Sequence, residues 1–237
     1  MNDRQNGESL ARIAGAIADP SRATMLLGLL DGRAWTATEL ADHAGIARST
    51  ATAHLHTLVE CGLLEERYSG RHRYLRLADA RSASLIETLS LATLPAPPTK
   101  SLKGARSDAA LRSARTCYDH LAGSLGVALL DRLLGLDYLA LDPDPVLTVA
   151  GDKWCTALGV DLDTVRSRRR PFARLCLDWT ERREHLAGSL ATALLQQFHH
   201  LGWVSHGAKR REVVLTDAGR HGFREHLGID WALIRMS

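Results

Sequence analysis

Three features of this 237-residue sequence predict a mainly α-helical chain, a winged helix-turn-helix domain followed by a domain of two similar helix–hairpin–helix units. The first is the stretch from Trp35 to Leu64, which carries helical apolar spacing and is broken once, at Gly45. The second is the arginine-rich, alternating segment from Leu64 to Leu77. The third is an ordered set of echoes within the second half of the chain. Between the halves, Pro95–Ala96–Pro97–Pro98 forbids a continuing helix. The expected organisation is a winged domain at 1–94, a linker at 95–104 and a second domain at 105–237, with copies at about 107–165 and 166–237.

In order, Leu10 to Ala18 and Ser21 to Leu30 read as helices. Asp19–Pro20 stops one and restarts the other, since proline is tolerated in a first turn. Leu26, Leu27, Leu29 and Leu30 are expected to pack inward. Thr36 or Thr38 can cap the next helix by accepting a free backbone N–H. Gly45 then supplies a turn at positive φ, and Ile46 fills the corner. A further helix begins near Ala47–Arg48–Ser49, with Ala51, Leu55, Leu58 and Val59 on one face. Its other face carries Arg48, Ser49, Thr50, Thr52, Ala53, His54 and His56, short or hydrogen-bonding side chains that suit a helix entering a DNA major groove. Gly62 ends it in a left-handed cap. Leu64 to Tyr68 and Arg73 to Leu77 read as strands around a tip at Ser69–His72. Arg67, Arg71, His72, Arg73 and Arg76 make this hairpin a basic wing for phosphates. Ala80 to Leu94 reads as a helix with Leu85, Ile86, Leu89 and Leu94 on its apolar side.

These stretches, IADPSRATMLLGLLDG and then TATELADHAGIARSTATAHLHTLVECGLLEERYSGRHRYLRL, resemble the arsenic-repressor (ArsR) family of bacterial transcription regulators. The resemblance covers about the first 90 residues. It implies a homodimer on double-stranded operator DNA, acting as a repressor that responds to an effector, with the helices flanking the winged core forming the dimer interface. It does not supply the effector. The family's founding members carry a Cys-x-Cys site before the recognition helix, where this chain has Glu39–Leu40–Ala41–Asp42–His43–Ala44. Other members place Asp and His ligands on the helix after the wing, and DARSASLIETLSLATL has no histidine.

In the second half, Ala114–Arg115–Thr116–Cys117 is echoed by Ala173–Arg174–Leu175–Cys176, and His120–Leu125 by His185–Leu190. Leu147–Gly151 is echoed by Leu215–Gly219, and Leu158–Asp161 by Leu227–Asp230. Four matches in one order imply two similar units packed about a pseudo-twofold axis. Each is expected to run long helix, short hairpin, helix. The basic runs Arg166–Arg170 and Lys209–Arg211 read as solvated.

Cys117 and His120, expected on one helix face at a spacing of three, are close enough to bind one ion. The second copy offers Cys176 and His185, and facing copies would bring the cysteines together. Thiolate and imidazole donors suit zinc, copper(I) or arsenite, and paired thiols suit oxidation sensing. Plain packing is the competing reading, because free cysteine is among the most buried residues. Cys61 and Cys155 read as packing. A small apolar effector is the alternative, its pocket walled by Tyr118, Phe172, Trp179, Phe198 and Trp203 with His120 and His185 as polar handles. An enzyme using Cys–His chemistry ranks lower, because no nucleophile elbow or Gly-rich phosphate loop is present.

Composition fits a soluble chain with 45% hydrophobic and 24% charged residues. No apolar run is long enough for a membrane span, and MNDRQNGESL lacks a basic-then-apolar leader. Four scattered cysteines suit a reducing cytoplasm, the expected location. A net charge of +3 alone says little about nucleic acid; the DNA reading rests on where the arginines fall.

Overall fold

The computed structural model describes residues 3–69, 72–91, 109–178, 180–209 and 211–234. Arg71, Leu94, Trp179 and the linker expected at 95–104 lie outside them. The chain divides into two compact units, Met1–Ala92 and Thr93–Ser237.

In the first unit, α1 (Asp3–Ile17) starts well before the expected Leu10. Asp19 caps α2 (Pro20–Gly28), its carboxylate accepting from the N–H groups of Ser21 and Arg22. A 3-10 turn, Leu29–Asp31, follows. Met25, Leu26, Leu29 and Leu30 are buried here, whereas Leu27 is 44% exposed. The helical period turns position 27 away from the stripe formed by 25, 26 and 29, so the expectation for Leu27 is corrected.

Thr36 caps α3 (Ala37–Ala44) in a reciprocal capping box with Glu39, and Gly45 closes it at φ 65°. Ile46 donates its N–H to the Ala41 carbonyl and is half-buried at the corner. Helix α4 (Arg48–Glu60) buries Ala51, Leu55 and Leu58. Its end follows the Schellman pattern: Gly62 sits at φ 73°, and Leu63 N–H bonds the Leu58 carbonyl at 3.0 Å.

Strand β1 (Trp35–Thr36) pairs with β3 (His72–Leu77), which pairs in turn with β2 (Leu64–Ser69), both antiparallel. Sheet order is therefore β1-β3-β2. The wing is this β2–β3 hairpin. Helix α5 (Ala80–Leu91) buries Ala83 and Ile86 but leaves Leu89 44% exposed, against the expected apolar side.

Among its described residues the second unit holds four two-stranded hairpins and the helices between them. β4 (Arg115–Cys117) pairs with β5 (His120–Ala122), and α6 (Ser124–Gly135) follows. β6 (Leu139–Asp142) pairs with β7 (Asp144–Leu147) and leads into α7 (Val149–Ala157), then α8 (Leu162–Arg166). β8 (Arg174–Leu177) pairs with β9 (Glu184–Ala187), followed by α9 (Ser189–His200). β10 (Val204–His206) pairs with β11 (Val213–Leu215), then α10 (Asp217–Leu227) and α11 (Trp231–Ile234). Leu125, Leu129 and Leu133 of α6 share one core with Leu190, Leu194 and Phe198 of α9. Phe198 and Trp203 stack at 5.5 Å and both meet Phe223. These aromatics are core filling, not the walls of the apolar pocket considered above.

The echoed Leu-Thr-x-Ala-Gly motif has one physical job at both places. Thr148 and Thr216 cap their helices by accepting from the N–H of Gly151 and Gly219, and their hydroxyls donate back to carbonyls of the preceding turn, Asp137 and Gly202. A β-carbon on Gly151 would sit 2.0 Å from the Tyr138 carbonyl oxygen, and one on Gly219 would sit 1.9 Å from that of Trp203. Only glycine allows the helix start to lie this close to the hairpin. Gly219→Ala is therefore expected to destabilise the second unit by about 1–3 kcal/mol, read as a lower urea midpoint. An unchanged midpoint would contradict the close approach.

Candidate functional site

The first candidate surface is the outer face of α4 with the wing. Arg48, Ser49, Thr50, Thr52, Ala53 and His56 are exposed on α4. Thr52 donates its hydroxyl to the Arg48 carbonyl, and His56 Nδ1 lies 3.3 Å from Glu60. His54 departs from the expectation of a base-reading side chain. Its Nδ1 is 3.1 Å from an Arg22 guanidinium nitrogen and its Nε2 is 3.7 Å from Asp19, so it braces α4 against the start of α2. Arg22 also donates to the carbonyls of Gly15 and Ala16, making this corner one polar joint.

On the wing, Arg67 is exposed and 3.6 Å from Glu65. His72 is exposed, with its ring 6.3 Å from that of Tyr74. Arg73 reaches Glu66 at 2.6 Å, and Arg76 pairs with Glu65. The hairpin register places Glu65 directly opposite Arg76. The wing's positive charge is thus partly neutralised from within, which a count of arginines overlooks. Arg71 lies outside the described residues.

The second candidate lies where β4–β5 meets β8–β9. Cys117 and His120 are not on a helix face: they stand directly opposite each other across the β4–β5 hairpin, as do Cys176 and His185 across β8–β9. Sequence spacing of three brings them together all the same, because a two-residue turn does what a helical turn was expected to do. Tyr118 makes that turn with φ 57°, a conformation usually left to glycine or asparagine. All four side chains are buried, and their ligand atoms lie within 4.8 Å of one another. The two Sγ atoms are 3.9 Å apart and the two Nε2 atoms 3.1 Å apart. Ala122 and Ala187 join the cysteines in a small apolar floor.

Acidic residues and arginines surround the cluster. His120 Nδ1 is 3.4 Å from Asp119, whose carboxylate accepts from Arg170. His185 Nδ1 is 3.6 Å from Asp178 and has no hydrogen-bond partner among the described residues. Asp178 is fully buried; it accepts from Arg115 at 2.7 Å, from the Gly123 N–H at 2.7 Å and from Thr180. Burial alone would raise the Asp178 carboxyl, but Arg115, Thr180 and Gly123 hold it well below the usual carboxylate range. Hydrogen bonding with Cys117, then with His120 and His185, draws the Cys176 thiol far below its ordinary value despite burial. Burial pushes the His185 imidazole down. The ionised thiol and the neutral ring are the forms that bind metal. Cys155 contrasts with them: fully buried in the core, its thiol is pushed up to about 12 by desolvation, then by Asp152, as its packing role requires.

Two of the basic residues expected to be solvated are structural. Arg170 holds Asp119 and Thr192, and Arg211 donates to the Thr116 carbonyl at 2.9 Å. Sequence reasoning also missed the parts played by Asp119 and Arg115. The signal available was position, since Asp119 precedes one candidate ligand and Arg115 lies inside the echoed Ala-Arg-x-Cys. Among the described residues no helix is long and apolar enough to cross a membrane.

Comparison with known proteins places both units in context. Residues 20–67 match the family model described as the IclR helix-turn-helix domain. The chain is 41% identical over 222 residues, 93% of its own length and 98% of the relative's, to an uncharacterized HTH-type transcriptional regulator, YdfF, of Bacillus subtilis (strain 168). It is 41% identical over 81 residues to the HTH-type transcriptional regulator CmtR of Mycobacterium bovis, covering 34% of this chain and 68% of that protein. A probable mercury resistance operon repressor of Streptomyces lividans is 35% identical over 79 residues, 33% of this chain and 62% of that protein. The chain belongs to the helix-turn-helix family of DNA-binding transcriptional regulators.

Proposed function

We propose that this regulator is a homodimeric repressor on double-stranded operator DNA, and that its operator affinity is set by an effector held at Cys117, His120, Cys176 and His185. In this reading the second unit is two copies of one fold, and the effector is a thiophilic metal ion bound where they meet. The observation that carries it is the convergence of one thiol and one imidazole from each of two hairpins into a single buried cluster. Ordinary packing does not need four ligand atoms within 4.8 Å. Arg48, Ser49, Thr50, Thr52 and His56 read base edges or adjoining phosphates, and Arg67, Arg71, His72 and Arg73 line the backbone. Dimerisation is supported by Leu10 on α1 and Leu89 on α5, 69% and 44% exposed in the single chain. The name of the Streptomyces lividans relative, a mercury resistance operon repressor, is consistent with a metal-responsive repressor.

The test is operator binding by the wild type and a Cys117→Ser, Cys176→Ser double variant, each titrated with zinc, copper(I), arsenite and peroxide, with mass followed by light scattering. At least one metal ion is expected to shift wild-type affinity by roughly 5–150-fold. The double variant should not respond, and the DNA-binding species should be a dimer. If no agent shifts wild-type affinity, or the double variant responds identically, the cysteines are packing and the site is not the sensor.

A further inference from the structure

The cluster's geometry and its surroundings carry the reading to a particular ion and to two residues that aim its ligands. For an ion bonded tetrahedrally at about 2.3 Å to sulfur and about 2.0–2.1 Å to nitrogen, the two sulfurs fall about 3.8 Å apart and the two nitrogens about 3.3–3.4 Å apart. The chain sets them at 3.9 and 3.1 Å. Two edges of such a tetrahedron, S–S and N–N, are therefore close to their bonded lengths before any ion enters, with all four donors within 4.8 Å of one another.

Charge narrows the choice further. Beside the cluster, Asp119 is neutralised by Arg170 and Asp178 by Arg115. Two thiolates and two neutral imidazoles then carry a charge of −2, which a divalent cation cancels. A monovalent ion would leave a buried, uncompensated charge, which is costly. Arsenic(III) prefers three thiolates, and only two are offered.

The histidines must present Nε2 to the ion, so each proton must sit on Nδ1. A carboxylate faces each Nδ1, at 3.4 Å from Asp119 to His120 and at 3.6 Å from Asp178 to His185. Each carboxylate is clamped by an arginine from the other half of the unit, Arg170 for Asp119 and Arg115 for Asp178. His185 Nδ1, fully buried and lacking a hydrogen-bond partner among the described residues, is the atom left waiting in this arrangement. A shift of a few tenths of an ångström in each ring, toward its carboxylate, would complete both hydrogen bonds and open the Nε2–Nε2 edge to the tetrahedral value.

Resting on the effector site proposed above, we infer that the site takes a divalent tetrahedral ion of the zinc type through Sγ of Cys117 and Cys176 and Nε2 of His120 and His185. Asp119 and Asp178 are positioning residues that hold both imidazoles in the Nδ1–H form. Because each Asp–Arg pair crosses between the halves, ligand orientation in one half depends on an arginine from the other. An ion bound here therefore ties the two halves together through its four ligands and the two Asp–Arg pairs behind them.

The experiment uses the full chain, reduced and stripped of metal by a chelator. Cobalt(II) serves as the spectroscopic probe, and zinc affinity is read by competition with a chromophoric chelator. One cobalt per chain is expected, with the intense visible bands of a tetrahedral site and a near-ultraviolet thiolate charge-transfer band. Asp119→Asn is expected to weaken zinc binding by about 10–100-fold while leaving those bands in place, and Asp119→Glu should recover part of the loss. Nitrogen-15 NMR of the zinc-loaded wild type should show both rings protonated at Nδ1, with the His120 pattern altered in Asp119→Asn. Asp178 has so many partners that its variants risk unfolding, which makes Asp119 the deciding position. Unchanged zinc affinity and an unchanged ring tautomer in a folded Asp119→Asn would overturn the positioning role while leaving the metal site standing. Failure of the wild type to bind cobalt or zinc would overturn the metal site itself. Binding that survives Cys117→Ser, Cys176→Ser would do the same.

Discussion

Arg115→Ala is expected to destabilise the second unit by about 3–5 kcal/mol, the cost of removing one partner from a buried ion pair. Arg115 is 1% exposed and Asp178 is fully buried. The guanidinium donates to Asp178, to the Thr180 hydroxyl and to the Leu111 carbonyl, so truncation leaves a carboxylate stranded without its counter-charge. Arg115→Lys should recover only part of the loss, because one ammonium cannot reproduce the planar fork that spans these acceptors. Urea unfolding of the full chain checks this, and a midpoint unchanged in Arg115→Ala would show that the pair is not structural. The wild type should show the same dependence in acid. The Asp178 carboxyl is held below its ordinary value, so its contribution is fully present above about pH 4 and is lost as pH falls toward the lower, folded-state value.

Arg48→Ala is expected to have the largest effect on DNA. The side chain stands exposed in the first turn of α4, the end of a recognition helix that meets base edges and backbone. Loss of a base contact should cost about 1–3 kcal/mol and relax specificity at one operator position, whereas loss of a phosphate contact should weaken all sequences alike and lower the salt slope by about 1. Either pattern supports a DNA-reading α4. Unchanged affinity, specificity and salt slope would remove Arg48 from the interface. Arg73 is expected to matter less than its charge suggests, because Glu66 already holds it in the free protein.

The winged unit was legible because each of its turns depends on a residue type that advertises itself. Thr36 and Glu39 form a capping box, Gly45 and Gly62 take left-handed turns, and the alternating strands carry their own register. What was misjudged there needed partners from elsewhere in the chain. His54 looks like a recognition residue by position, but Arg22 and Asp19, distant in sequence, claim it.

In the second unit the four clustered residues were visible in the echoed segments while their local structure was not. The β4–β5 turn rests on Tyr118 and Asp119, without the glycine or asparagine that marks a tight hairpin, so Cys117 to His120 reads as helix. Helix and two-residue hairpin both bring positions three apart together, which is why Cys117 and His120 are neighbours although the expected element was wrong. The Asp–Arg pairs could not be read at all, since they join residues about 50–65 positions apart and have no periodic signature.

The most direct test of the account is the zinc affinity of the full chain measured with and without saturating operator DNA. If the Cys117–His120–Cys176–His185 site controls DNA binding, linkage requires the two affinities to differ by the same factor by which zinc changes operator affinity, expected at roughly 5–150-fold. Equal zinc affinities in the free and operator-bound protein would contradict it.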